Sequence, residues 1–408
     1  MYYITYAQPD RYRQVSFEEM LGLIENLEPL KKTNHTGTLT KKVNEIPLRI
    51  MTMTNVSSII GMFSRWHSNN YHRFMPQIKA FEALTQKERP RNPENGMAYY
   101  TFAIPKQNGK LRIINAPNAH FKAALSDLKD IFESVMIRSY HTSAYAYIKG
   151  RCPKNAVEYH QKWDSKWFAH YDFKDFFSNS SKDFIMKQLK KQYPFCIMND
   201  AALHIVEECL ECCMLDGGLP QGTPISPTLT NIMMIPFDHE ITNVLHKYAS
   251  TKSKNGVDRF VYTRYADDIE ISCRVDFNYR EIEQLIRSNL RELGAPFTIN
   301  SEKTHYNSRA GANWMLGVML NKDNALSVGH RQKKHFKAMT TNYILSRAGE
   351  NEWDLDQLEY YLGMISYYRS IEAETIDFIL NKLGDKFNCQ DVFRVLVEDI
   401  KRKKGGEN

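Results

Sequence analysis

Arg259-Phe-Val-Tyr-Thr-Arg-Tyr-Ala-Asp-Asp-Ile-Glu-Ile-Ser-Cys273 decides how this chain reads. Two β-rich runs, Arg259 to Tyr265 and Ile269 to Cys273, flank a tight turn that carries Asp267 and Asp268. Adjacent aspartates in a turn are most often simply solvated. Here the flanks predict that the pair is held rigidly on a sheet, which is where precise sites are built. The run Trp167 to Phe173 predicts a further strand, entering an acidic turn and delivering Asp172. If that strand lies beside the hairpin, three carboxylates converge, and they repel one another unless cations sit among them. Hard oxygen donors suit Mg²⁺, which keeps positions open for substrate phosphates. Two such ions stabilise the attacking and leaving oxygens of an in-line phosphoryl transfer.

Working outward, the centre of the chain alternates strands and helices. A helix is expected from about Asp200 to Cys213, and Ser226-Pro227 reads as a helix start, with Ser capping free N–H groups and Pro in the first turn. Pro236 is expected to end or kink that helix. Upstream, Tyr99 to Ile104 and Leu111 to Ile114 predict a hairpin turning at Gln107-Asn-Gly-Lys110. Helical spacing marks Phe17 to Ile24 and Ser57 to Trp66, separated by a polar stretch, Lys31 to Lys42, read as a loop or a solvated basic segment. Beyond about residue 330 the pattern is helical, clearest over Gln357 to Tyr368 and Ile371 to Leu383.

These stretches together resemble prokaryotic reverse transcriptases of the retron type and their antiphage-defence relatives. Tyr265-Ala-Asp-Asp268 is similar to the family's metal-binding signature, and Tyr171-Asp-Phe-Lys-Asp-Phe-Phe177 to its first palm motif. Ile104-Pro-Lys-Gln-Asn-Gly-Lys-Leu-Arg112 resembles the fingers motif, and Leu219-Pro-Gln-Gly-Thr-Pro-Ile-Ser-Pro227 the loop-to-helix motif, with Asn231 and Asp238 placed as in that helix. Gly294 to Lys303 and Trp314-Met-Leu-Gly317 resemble the last two palm motifs, and Leu362-Gly-Met-Ile-Ser-Tyr-Tyr368 a thumb helix. Six motifs in order span about residues 100 to 320. Two departures separate the chain from the retron pattern: His160 stands one residue late, and Met315-Leu-Gly317 replaces Val-Thr-Gly.

The resemblance implies an α/β (α+β) right-hand polymerase. Its fingers would span 1–160, a palm with an antiparallel sheet 161–322, and a helical thumb 323–408. It implies RNA-directed DNA synthesis from deoxynucleoside triphosphates, copying a small non-coding RNA in bacterial antiphage defence, with an RNA template, a DNA product and an effector protein as partners. Asp172 and Asp267 would bind two Mg²⁺ ions, with Mn²⁺ as a substitute, supported by Asp268 and the Phe173 carbonyl. Arg112 suits a triphosphate because its planar fork donates two parallel hydrogen bonds. Lys106 or Lys110 would assist, and Lys303 would protonate departing pyrophosphate. Phe177 would exclude a 2′-hydroxyl by bulk, Gln221 and Gly222 would line the nucleotide pocket, and Tyr265 and Gly317 would meet the primer. Within His330-Arg-Gln-Lys-Lys-His-Phe-Lys337, the cations Arg331, Lys333 and Lys334 would grip template–primer phosphates. Asp175 reads as a supporting residue.

Composition agrees without deciding. Of 408 residues, 42% are hydrophobic and 25% charged, which excludes a disordered or collagen-like chain. The net charge of +7 permits a nucleic-acid partner, although clustering matters more than the sum. No stretch approaches the ~18 apolar residues of a spanning helix. Without a basic, apolar leader, the expected location is cytoplasmic and away from membranes. The seven cysteines fit a reducing compartment. Cys209, Cys212 and Cys213, with His204, read as buried thiols of one amphipathic helix in preference to zinc ligands. Two other functions remain open on the same motifs: a template-independent or protein-primed DNA polymerase, and an RNA-binding scaffold with a vestigial site. Three mutually repelling acids argue against the scaffold.

Overall fold

In a computed structural model the chain is described over residues 53–105, 109, 111–136, 139–252, 259–311, 315–349 and 352–405, with the backbone of four short N-terminal strands. Those strands pair antiparallel, β1 (Tyr2–Ile4) with β2 (Arg13–Val15) and β3 (Leu39–Val43) with β4 (Ile46–Ile50). β3 therefore begins within the stretch expected as a loop or solvated basic segment and ends one residue beyond it. The helix expected over Phe17 to Ile24 lies outside the described residues, as do Lys106, Lys110 and Trp314. β5 (Tyr99–Pro105) and β6 (Leu111–Pro117) form the predicted hairpin. A four-stranded sheet holds β7 (Trp167–Asp172), β8 (Val261–Tyr265), β9 (Asp268–Cys273) and β10 (His305–Ser308), in the order β10-β7-β9-β8. Only Ala266 and Asp267 separate β8 from β9, so the two run antiparallel through the acidic turn.

The chain divides into two compact units. The first comprises Met1–Arg151, His170–Glu270 and Asn278–His305; the second comprises Cys152–Ala169, Ile271–Phe277 and Tyr306–Asn408. In the first, the helices Met53–Glu82 and Ala119–Met136 join through rings: Phe63 meets Phe132 edge-on at 5.0 Å, and Phe74 meets Phe121 at 4.8 Å. The helix Asp200–Glu211 ends two residues short of its expected limit, and burial pushes the thiols of Cys209 and Cys212 up.

The 27-residue helix Ser226–Lys252 corrects two expectations. Its start lies at Ser226 as read, but the Thr223 hydroxyl accepts from the Ser226 N–H at 3.3 Å, so Thr223 supplies the side-chain cap. The helix also runs unbroken through Pro236. Proline removes the N–H that would serve the carbonyl four residues back. That carbonyl belongs to Ile232, and the buried Gln192 amide donates to it at 3.1 Å instead. A side chain thus restores what the proline removes.

The second unit is built on three helices, Gly329–Ala348, Leu355–Lys386 and Val392–Gly405, around a core that includes Phe336, Tyr343, Tyr361 and Leu396. The middle helix merges the two that the sequence predicts. Their junction is Glu372, at φ −144° and ψ 62°, where its carboxylate accepts from the Ser327 hydroxyl and the Lys333 ammonium. Among the described residues no helix is long and apolar enough to cross a membrane.

Candidate active site

The acidic turn is anchored from beneath. Arg264 is fully buried, and its guanidinium donates from Nε and one terminal nitrogen to the two Asp238 oxygens at 2.8 and 2.7 Å. Its other terminal nitrogen donates to the Ala266 carbonyl at 3.1 Å and the Asn231 side-chain oxygen at 3.4 Å. Tyr262 donates to Asp238 at 2.6 Å. The Ala266 backbone needs such support because its φ is +57°, in the left-handed region. Asn231 and Asp238 are seven residues apart and so share one face of their helix.

Strand β7 delivers Asp172 to the same place. The Phe173 N–H donates to the Asp267 carbonyl at 3.1 Å, stitching the end of β7 to the turn. Asp172 is buried, and both its carboxylate oxygens are engaged: Asn300 donates to one at 3.3 Å and Lys303 to the other at 2.8 Å. Burial, then the Asp268 charge, with Asp172 adding to it, holds the Asp267 carboxyl up at about 6. Burial also raises Asp268, although nearby His170 opposes that rise. For Lys303, burial pulls the ammonium down, but the bond to Asp172 and the charges of all three aspartates outweigh it.

Three hard carboxylates facing one lysine leave a local excess of negative charge, and this donor chemistry fits divalent cations. Among the described residues, no three His, Cys, Asp or Glu side chains form a ready-made metal cage, consistent with Asp172 being turned onto Asn300 and Lys303. The same sheet face carries a second polar row, two residues further along each strand. His170 contacts buried Glu270 at 2.7 Å, lies 3.6 Å from Asp268, and stacks on His305 at 4.6 Å.

The remaining predicted residues of this unit are held by their own local contacts. The Phe173 ring is buried, 5.8 Å from Phe176 and 5.6 Å from Phe297, and secures the strand end. Half-buried Phe177 is the second residue of a short helix, Phe176–Asn179, and its carbonyl accepts from the Leu219 N–H at 2.9 Å, joining it to the next motif's loop. In that loop the Gln221 carbonyl accepts from the Asn115 N–H of β6 at 3.1 Å. Gly222 has φ +110°, and a Cβ there would meet the Ile114 side chain at 2.6 Å. Arg112 is exposed on β6, opposite Ile104. Tyr265 is half-buried, its ring 6.4 Å from that of Tyr147.

Gly317, Arg331, Lys333 and Lys334 belong to the second unit. Gly317, at φ +83°, makes a tight turn with Leu316 at +54°. Arg331 and Lys334 are exposed, whereas Lys333 is engaged by Glu372 at 2.5 Å. Sequence reasoning missed Arg264, His170, Glu270 and Tyr147. Arg264 carried a usable signal, standing three residues before Asp267 with helix-borne Asn231 and Asp238 upstream.

Comparison with known proteins shows the family. Retron Ec83 reverse transcriptase of Escherichia coli is 26% identical over 297 residues, covering 70% of this chain and 87% of the relative. Retron Ec73 reverse transcriptase of the same organism is 26% identical over 276 residues, covering 66% and 82%. Among solved structures, telomerase from Candida albicans in complex with a TWJ fragment of telomeric RNA has a TM-score of 0.43 at 12% identity, covering 90% of this chain and 71% of that one. Residues 104–339, more than half of the chain, match the family described as reverse transcriptase (RNA-dependent DNA polymerase), and the protein belongs to that family and its right-hand polymerase fold.

Proposed function

We propose that this retron-like reverse transcriptase copies a dedicated small non-coding RNA into DNA by two-metal nucleotidyl transfer, and that it serves bacterial antiphage defence with an effector protein as partner. The observation that carries the chemistry is the convergence of Asp172, Asp267 and Asp268 at the ends of the two central strands, with Lys303 on the Asp172 carboxylate. Asp172 and Asp267 hold two Mg²⁺ ions, Asp268 and the Phe173 carbonyl assist, and Mn²⁺ can replace Mg²⁺. When bound, the metals supply positive charge to the attacking and leaving oxygens.

The chain's own residues do the rest. The primer 3′-hydroxyl releases its proton to solvent as its oxygen attacks the α-phosphorus, the bond to the bridging oxygen breaks, and Lys303 gives its proton to departing pyrophosphate. Exposed Arg112 clamps the triphosphate, with Lys106 or Lys110 beside it. Phe177 bars a 2′-hydroxyl, and Gln221 and Gly222 form the pocket that the β6 contact fixes. Tyr265 and Gly317 meet the primer, and Arg331 and Lys334, with Lys333 when it leaves Glu372, hold backbone phosphates. Fingers (1–160), palm (161–322) and thumb (323–408) divide these tasks.

The test is to purify wild-type protein and Asp267→Asn from the native host and sequence every nucleic acid that travels with them. One abundant small RNA with complementary DNA, the DNA missing from the variant, is the expected result. Homopolymeric DNA formed without RNA, or DNA equally abundant with Asp267→Asn, would overturn the proposal.

A further inference from the structure

One aromatic side chain beside the carboxylates has no place in the chemistry described so far. Residues 141–151 form a loop whose backbone is bound at nearly every step. The Arg264 N–H donates to the Ser143 carbonyl at 2.7 Å, and the Tyr145 N–H donates to the Arg264 carbonyl at 2.9 Å. The Asn231 amide donates to the Ala146 carbonyl at 2.7 Å, and the Arg151 guanidinium to the carbonyls of His141 and Ala144 at 2.6 and 2.5 Å. Ala144, Ala146 and Ile148 are buried. Between them Tyr147 takes φ +57° and leaves its side chain 51% exposed.

A left-handed tyrosine is a costly conformation, and such residues persist where surrounding contacts over-determine them, chiefly at functional sites. The anchored carbonyl of Ala146 and the buried flanks hold this one. What the strain produces is a half-exposed ring, 6.4 Å from Tyr265 and inclined to it by 41°. The charges of Asp267, Asp268 and Arg112 all reach its hydroxyl. The ring thus lies beside Tyr265, which opens the acidic turn, and in the field of both the carboxylates and Arg112. An exposed, uncharged, flat face in this setting has no use for phosphate, but it matches the π-face that every nucleobase presents.

We propose that the Tyr147 ring is a stacking platform for a nucleobase at the growing end of the template–primer. The assignment rests on the polymerase reading above. It makes the ring, not the hydroxyl, the working part, and it makes the left-handed backbone the device that turns the ring outward.

The test uses the full-length protein and a fluorescein-labelled RNA template annealed to a recessed DNA primer. Tyr147→Ala is expected to lose about tenfold both in affinity for this hybrid, read by anisotropy, and in kcat/KM for the next nucleotide, since base–aromatic stacking is of that size. Tyr147→Phe and Tyr147→Trp should stay within about twofold of wild type. Tyr147→Asn, whose side chain tolerates left-handed backbone, should match the alanine variant in both losses without a lower melting temperature. Tyr147→Ala within twofold of wild type, a phenylalanine variant that falls as far as alanine, or losses that follow melting temperature would each overturn the assignment. Failure of the polymerase reading is separable. Incorporation that survives in Asp267→Asn removes that reading, while the anisotropy titration still reports whether the ring holds the hybrid.

Discussion

Asp238→Asn is the most demanding test of how the acidic turn is held. The Asp238–Arg264 pair is fully buried at both ends, with two parallel bonds of 2.8 and 2.7 Å. Asparagine keeps the shape of aspartate and can still accept from Tyr262, so no cavity opens and the loss is electrostatic. At an effective dielectric near 20, two charges 4 Å apart interact by about 4 kcal/mol. Breaking buried pairs by removing one partner costs about 3–5 kcal/mol, because the survivor stays desolvated and unpaired. The two figures agree, and either is a large share of the ~5–15 kcal/mol that holds a folded domain together.

Urea denaturation of wild type and variant, followed by circular dichroism, measures the loss directly. A destabilisation below about 1 kcal/mol would refute the reasoning, since it would mean that the guanidinium finds solvent or another anion. The paired variant Arg264→Met with Asp238→Leu separates holding from folding. Exchanging a whole buried pair for apolar side chains is often close to neutral for stability. That double variant should recover most of the lost stability yet incorporate nucleotides poorly, because nothing then donates to the Ala266 carbonyl. Wild-type activity in a folded double variant would show that the turn needs no such anchor.

Three further expectations follow from single features. Gly222→Ala places a Cβ 2.6 Å from the Ile114 side chain at φ +110°, a strain of about 1–3 kcal/mol, and should lower Tm by a few degrees and raise KM for the nucleotide at least severalfold; an unchanged KM would refute it. Phe177→Ala should admit ribonucleotides, and an unaltered preference between dNTP and rNTP in primer extension would remove its gate role. Burial holds His141, also facing Arg264 and Arg151, and likewise His160, at about 3 in the folded protein. The unfolded chain binds these protons near pH 6.5, so the stability from keeping both rings neutral is complete above about 6.5 and declines as pH falls toward 3, by up to about 1.4 kcal/mol per unit for each ring. His141→Gln should flatten the dependence of the urea midpoint on pH between 6 and 4, and an unaltered slope would contradict the assignment.

Much of this was legible from sequence because the deciding signals are local. Runs of β-branched and aromatic residues on either side of Asp267 and Asp268 mark two strands and a turn, whatever else the chain does. The β5–β6 hairpin reads from its own turn residues in the same way. Pro236 misled for a complementary reason. Its cost is local, but the remedy comes from Gln192, forty-four residues earlier and on another element. At Glu372 the break between two expected helices was legible to within a few residues, but the partners that hold it, Ser327 and Lys333, are distant in sequence and were not. The three aspartates were found because carboxylates carry their chemistry in their residue type. Arg264 was missed because an arginine inside a strand reads as a surface residue until its aspartate is located.

Two of the missed residues, Arg264 and Tyr147, are linked in a way that explains why they matter. Asp267 sits in a turn whose first residue, Ala266, has a left-handed backbone, and Tyr147 is itself left-handed. Neither conformation is stable by local preference, so each needs a donor to fix a neighbouring carbonyl. Arg264 supplies one to Ala266, and Asn231 supplies one to Ala146. Arg264 also touches Asn231 and pairs with Asp238, and those two project from a single helix face. One buried polar cluster on the helix Ser226–Lys252 therefore fixes both the turn that bears the carboxylates and the loop that bears the exposed ring. Buried polar networks of this kind are costly when incomplete and rigid when satisfied. That rigidity is what a site requires when its acids repel one another and must still hold their positions as substrate arrives. The core beneath the carboxylates is polar because an apolar core could fill the same space but could not hold two strained carbonyls in place.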